Sequence, residues 1–271
     1  MLEDKALQIR QLLVDCIGNF GMGHIGGALS IADVLAVLYF DRMNVDPANT
    51  KKPGRDRLVL SKAHAGPVLY SALALKGFFP QEMLKTLNGP ETLLPSHCDM
   101  IRTPGVDMTA GSLGQGLSAA VGMALGARLD GLDVNVYCIL GEGDCQEGSS
   151  WEAAMYAANQ KLSKLTAFVD VNGLQIDGTV DEVNSLGDLA AKWTAFGWNA
   201  LVVEDGNDVG QICEALDKSK GSDKPTAVIL HTVKGKGVSF MEGKVEFHHA
   251  IISEEQWRTA AAELKGGVAS A

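Results

Sequence analysis

The chain has 271 residues, 46% of them hydrophobic, and a formal net charge of -10. So much apolar sequence excludes a disordered chain and is ample for a core, whether of one large α/β domain or two small ones. The negative balance excludes nucleic acid and an acidic membrane surface as partners, although backbone N–H groups, a metal and one or two lysines can still hold a phosphate locally.

Ala6, Ile9, Leu12, Leu13, Cys16 and Ile17 fall on one helical face and predict a first helix. A glycine-rich stretch from Asn19 to Gly27 interrupts it, and Ile31, Val34, Leu35 and Leu38 open a second helix. Asp41 to Arg57 reads as a polar loop, followed by a short strand Leu58–Leu60, the turn Ser61-Lys62-Ala63-His64 and a helix from about Pro67. Asn88 to Ser112 is loop-rich, with Pro90, Pro95 and Pro104. A small-residue helix over 116–129 precedes a strand over 134–140. From there the alternation is regular: helices over 151–160, 189–196 and 209–218, and strands over 165–171, 200–203 and 226–230. Such alternation predicts an α/β fold with a mostly parallel central sheet, helices on both faces and right-handed crossovers. Ser253-Glu254-Glu255-Gln256 is a capping box opening a last helix, and 266–271 is expected to fray. No repeat and no linker demands a second domain, so 1–271 is read as one domain.

The cysteines at 16, 98, 138, 145 and 213 are odd in number and lack zinc-type spacing, which predicts reduced thiols in a cytoplasmic protein. Charged residues in the first ten positions exclude a signal peptide, and no apolar run approaches a membrane span. The starting Met and the loose small-residue tail are read as the ends of a complete subunit.

The most informative stretch runs from Gly141 to Asn172. An apolar strand ends in Gly141-Glu142-Gly143, and a second ends in Asn172. If the strands are parallel neighbours, both polar ends lie at the carboxyl edge of the sheet, where ligands of open α/β sheets bind. A carboxylate and an amide oxygen at that edge make a hard-cation site able to hold a diphosphate.

Several blocks in fixed order extend this motif. They are Gly23-His24-Ile25-Gly26-Gly27; Leu60-Ser61-Lys62-Ala63-His64-Ala65; Thr109 through Gly116; Gly141 through Asn172 with Ile176-Asp177-Gly178; and Thr232-Val233-Lys234-Gly235-Lys236-Gly237 with His248. With them the chain resembles the amino-terminal, diphosphate-binding part of transketolases, over nearly its whole length. The resemblance implies the thiamine-diphosphate-binding fold, thiamine diphosphate and a divalent metal, Mg2+ or Ca2+. It also implies transfer of a two-carbon ketol unit from a ketose to an aldose. Full-length transketolases add a pyrimidine-binding domain, which brings the glutamate that protonates the aminopyrimidine and much of the substrate-phosphate clamp, and a smaller carboxy-terminal domain. The expected assembly is therefore an α2β2 heterotetramer with a carboxy-terminal partner subunit, working on sugar phosphates.

Residue by residue, the resemblance places the metal at Glu142, Asn172 and the Leu174 carbonyl. Glu142 stands where the family has Asp, so its longer side chain must fold back or the metal must move; Mg2+ demands near-octahedral geometry at about 2.1 Å, whereas Ca2+ is more tolerant. Gly143 would offer its N–H to the diphosphate; His64, His248 and Lys234 would lie beside it. Gly111 and Leu113 would wall the aminopyrimidine. His24, His97, His248 and Lys62 would meet the donor sugar, although Ser96 and Cys98 replace the Gly and Pro usual around His97. Moving protons on sugar hydroxyls calls for histidines that titrate near working pH. Glu147 is assigned both to the cofactor set and to a carboxylate chain between paired sites, with a helix-dipole role equally open. Glu152 joins that chain. His231 reads as structural, Cys145 as packing, and His249 occupies a position usually held by Gly.

Other readings are the α subunit of a 2-oxo acid dehydrogenase, which lacks the His64 and His97 blocks, and the deoxyxylulose phosphate enzyme, normally one long chain. A non-catalytic scaffolding paralogue is supported only by Glu142.

Overall fold

The structure is a computed structural model that describes residues 1–266, so the expected fraying of the tail lies almost wholly outside the described residues. Its strands are β1 (Met22–Gly23), β2 (Arg57–Leu60), β3 (Val136–Gly141), β4 (Leu165–Val171), β5 (Asn199–Val203), β6 (Thr226–His231) and β7 (Ala250–Ile251). Its helices are α1 (Leu2–Phe20), α2 (Gly26–Leu29), α3 (Ala32–Val37), α4 (Gly66–Lys76), α5 (Gln115–Leu129), α6 (Gly148–Asn159), α7 (Val180–Asn184), α8 (Leu189–Ala195), α9 (Val209–Ser219) and α10 (Glu254–Glu263). Five strands form a sheet in the order β2-β3-β4-β6-β5, and every pairing in it is parallel.

Period-2 alternation sorts the strand residues between two cores, as a sheet covered on both faces requires. Val136, Cys138 and Leu140 pack with Leu117 of α5, Ala154 of α6 and Trp193 of α8. Tyr137 and Ile139 pack with Leu13 of α1, Leu35 of α3 and Leu69 of α4. The expected architecture is therefore present. The small-residue start of α5 also has a reason: a Cβ on Gly116 would lie 2.4 Å from the Ser61 Cβ, so only glycine lets α5 approach the end of β2.

Departures from the sequence reading are local. The strand expected from residue 134 begins at Val136, because the Asn135 N–H is taken by the Asp56 carboxylate at 2.8 Å. A short helix α2 precedes the second helix, which forms as α3 and then widens into a π-helical turn over Leu38–Arg42. The helix read from Trp151 begins at Gly148. The antiparallel pair β1–β7 is too short to show in any periodicity. The capping box of α10 is as expected: Ser253 Oγ accepts from the Gln256 N–H at 3.1 Å, and Gln256 Oε1 accepts from the Ser253 N–H at 3.0 Å. Among the described residues no helix is long and apolar enough to cross a membrane.

Candidate active site

Parallel strands deliver their carboxyl ends to one edge. Ser61, Lys62 and His64 follow β2; Glu142, Gly143 and Asp144 follow β3; Asp170 lies near the end of β4, before Asn172 and Leu174; Thr232 and Lys234 follow β6. All of these except Ser61 and Thr232 line a cleft of about 280 Å³. The β1–β7 pair completes it. Its register, Gly23 opposite Ala250, holds His24 beside His248 and His249. His97 comes from the loop before α5, where the Ala110 N–H donates to the Cys98 carbonyl at 3.2 Å.

His24, His64, His97, His248, Lys62, Lys234, Leu113, Glu142, Gly143, Asn172 and Leu174 all line the cleft. Gly111 and Glu147 do not. Gly111 is exposed at the edge of His97, and Glu147 is exposed at the start of α6, where its side chain makes no capping hydrogen bond. Glu147 is the N-cap residue of α6, so its helix-dipole role stays open without a capping hydrogen bond. His24 is the hub of the imidazoles: its ring centroid lies 5.1 Å from His64, 5.9 Å from His97 and 5.7 Å from His248. His249, which had no expected role, packs edge-on to His24 at 4.4 Å. His231 closes β6 and is exposed.

The buried acids divide the work. Asp144, fully buried, accepts from Ser61 Oγ at 2.5 Å and from the N–H groups of Gly114 and Gly141 at 2.8 Å each, tying three of the sequence blocks together. Glu142 is 8% exposed, which excludes a solvated turn acid. Its longer side chain folds back: Oε2 accepts from the N–H groups of Asn172 at 3.0 Å and Gly173 at 2.8 Å. Burial raises its pKa to about 7, against the pull of those two donors. Asn172 Oδ1 accepts from the Leu174 N–H at 3.2 Å, and the Leu174 carbonyl accepts from Lys234 Nζ at 3.2 Å. Among the described residues no group of three or more His, Cys, Asp or Glu side chains is placed to hold a metal. A cation here would rest on one carboxylate, one amide oxygen and one carbonyl, the hard donors that Mg2+ and Ca2+ prefer.

The two lysines differ. The resemblance points Lys62 at an anion, but its ammonium is committed: Nζ donates to Asp170 and to the Gly27 carbonyl, each at 2.6 Å. Burial acts to raise the Asp170 carboxyl, yet Lys62 and two hydroxyls outweigh it and hold the group below the usual carboxylate range. Lys234 is equally buried, at 2% exposure, and takes no part in the buried ion pairs Arg10–Asp33, Arg55–Asp107 and Lys62–Asp170. Its neighbours are the Leu174 carbonyl and His248 Nδ1 at 3.1 Å. A buried ammonium without a carboxylate partner is costly. A diphosphate in the cleft would give Lys234 the anionic partner it does not find among the described residues. Gly143 allows close approach on the facing wall, since a Cβ there would meet Leu113 Cδ1 at 2.9 Å.

The histidines do not titrate near neutral pH as expected. Burial, then the neighbouring imidazoles and lysines, lowers His24 to about 4, His64 to about 2 and His248 to about 3. They work as neutral rings, one nitrogen donating and one accepting. An unfolded histidine titrates near 6.5, so between pH 6.5 and about 4 the unfolded chain binds more protons and folding stability falls as pH falls. The thermal midpoint should decline steadily as the pH is lowered from 6.5 to 4. A midpoint flat across that range would contradict the buried, neutral cluster.

Asp170 escapes the sequence reading, although an isolated acid inside an apolar strand is a visible signal.

A family model described as transketolase, thiamine diphosphate binding domain, matches residues 3–267. The chain belongs to the transketolase family. It is 53% identical to the 6-deoxy-6-sulfo-D-fructose transketolase subunit SqwG of a Clostridium species, over 97% of this chain and 96% of that one. It is 42% identical to one of the apulose-4-phosphate transketolase subunits of Phocaeicola vulgatus, over 97% and 93%. Human transketolase is 37% identical over 91% of this chain, which spans only 39% of the human protein. The crystal structure of Campylobacter jejuni transketolase superposes with a TM-score of 0.92 at 33% identity, covering all of this chain and 43% of that one. The chain thus corresponds to the amino-terminal part of single-chain transketolases and to nearly the full length of relatives named as transketolase subunits.

Proposed function

We propose that the chain is the diphosphate-binding subunit of a two-chain, thiamine-diphosphate-dependent transketolase that moves a two-carbon ketol unit from a ketose phosphate to an aldose phosphate. It works in the cytoplasm, by default in the pentose phosphate pathway, as an α2β2 assembly with a carboxy-terminal subunit that carries the pyrimidine-binding domain. The observation that carries the reading is Lys234, a buried ammonium at the carboxyl edge with no carboxylate partner among the described residues.

In this reading Glu142, Asn172 and the Leu174 carbonyl hold Mg2+, with Ca2+ the alternative. Lys234, His64, His248 and the Gly143 N–H hold the diphosphate. Leu113 and, from the rim, Gly111 wall the aminopyrimidine. Bound there, the cofactor supplies the electron sink for carbon–carbon cleavage and formation. The chain supplies orientation, hydrogen bonds and exclusion of water. Neutral His24 and His97 donate to or accept from the donor's hydroxyls and carbonyl, and the apolar wall at Leu113 excludes water. Lys62 acts through its ion pair with Asp170 rather than on substrate directly. Glu147, exposed beside the cleft, is available to the subunit interface, and Glu152 of α6 is assigned to the same contact.

One observation favours a narrower donor class. The relative at 53% identity is named for a 6-deoxy-6-sulfo ketose, which ends in a sulfonate instead of a phosphate. Assaying the two-chain complex with matched phosphate-ended and sulfonate-ended donors decides between them through kcat/KM. Turnover of neither, with thiamine diphosphate and Mg2+ bound, would overturn the catalytic reading in favour of a scaffold.

A further inference from the structure

We infer that Asp170 is a positioning residue for the metal–diphosphate end of the cleft: it sets which end of the Asn172 amide faces the ligand, and it withdraws Lys62 from ligand binding. The inference rests on the proposed thiamine diphosphate function.

Asp170 is completely buried near the end of β4. Its carboxylate gathers donors from four segments: Ser30 Oγ between α2 and α3 at 2.8 Å, Lys62 Nζ after β2 at 2.6 Å, Asn172 Nδ2 after β4 at 2.9 Å, and Thr232 Oγ1 after β6. An ionised carboxylate only accepts. Asn172 must therefore turn its NH2 toward Asp170. The flipped amide would set an oxygen against a buried carboxylate. The Asn172 oxygen is thereby directed away from Asp170, and the Leu174 N–H at 3.2 Å occupies one of its two lone pairs, leaving one for a cation.

The second consequence concerns charge. Among the described residues two buried lysines line the cleft, and of these only Lys62 has a carboxylate partner. Asp170 neutralises Lys62 and leaves Lys234 as the cation that meets an anion. Substituting the carboxylate should therefore move two affinities in opposite directions, which generalised loosening of the fold would not do.

The experiment uses the two-chain complex and calorimetric titration. In Asp170→Asn the amide offers its own NH2 and no longer imposes the Asn172 orientation, so Mg2+ affinity, measured with thiamine diphosphate present, should fall about 10- to 100-fold, the range seen for outer-shell partners of metal ligands. Lys62 is released in the same variant, so metal-free inorganic pyrophosphate should bind more tightly than to the unaltered protein. The double variant Lys62→Met/Asp170→Asn removes the unpaired ammonium and guards against misfolding. It should keep the Mg2+ defect and lose the pyrophosphate gain. Mg2+ affinity within twofold of the unaltered chain in both folded variants overturns the inference, as does equal weakening of Mg2+ and pyrophosphate. If the unaltered two-chain complex bound neither thiamine diphosphate nor pyrophosphate, the functional reading itself would fall, a distinguishable result.

Discussion

Lys234→Met is expected to stabilise the ligand-free chain while weakening thiamine diphosphate binding roughly 30- to 5,000-fold. Both effects come from one fact: the ammonium is 2% exposed and its near neighbours are a carbonyl and an imidazole. Burial, with Lys62 nearby, lowers its pKa to about 8, only partly offset by Asp170 and Glu142. A methionine of similar length fills the space without a charge to desolvate. A gain of about 1 kcal/mol would raise the thermal midpoint by about 2–4 °C in a chain of this size class. Losing one partner of a buried charge contact costs about 2–5 kcal/mol, which converts to the affinity loss above. Thermal melts of the free protein and calorimetry with thiamine diphosphate and Mg2+ measure the two halves. An unchanged affinity would remove Lys234 from the diphosphate site.

The second large effect is turnover by the chain alone, expected to be negligible beside the complex. The buried carboxylates of the cleft are all engaged. Glu142 accepts from two backbone N–H groups, Asp144 from Ser61, Gly114 and Gly141, and Asp170 from its ring of donors. His24, His64 and His248 are held neutral well below pH 7. The buried part of the cleft binds and orients, and in the proposed assembly the acid that protonates the aminopyrimidine comes from the partner subunit. A positioned acid–base group contributes about 10²–10⁴-fold in rate, so its absence sets the deficit. Uncovered apolar side chains accord with a partner: Ile176 at the cleft is 67% exposed, and Met155 on α6 is 55% exposed. A coupled assay of the chain with and without its companion subunit tests this. Comparable kcat without the companion would refute the division of labour.

Much of this site is legible in the chain because parallel strands make a simple rule: the residues just past each apolar run gather at one edge. Glu142, Gly143, Asn172, Leu174, His64 and Lys234 are each placed by that rule, and each lines the cleft. The rule is silent on pairing inside the cleft. Lys62 and Lys234 look alike in sequence, each just past a strand, and only the position of Asp170 separates a structural cation from a ligand-facing one. Histidine pKa values are misjudged from sequence for a related reason. Burial and mutual proximity set them, and the contact of His24 with His248 and His249 depends on the two-residue β1–β7 pair.

By itself, the sequence determined the alternating α/β architecture, the edge that carries the site and the family, since hydrophobic period and motif order are local and additive along the chain. Tertiary structure alone decided which charges are spent inside the protein and which remain for a ligand. That outcome turns on distances of about 3 Å between groups as far apart in the chain as Lys62 and Asp170, where hydrogen-bond geometry and desolvation, not residue type, choose the partner.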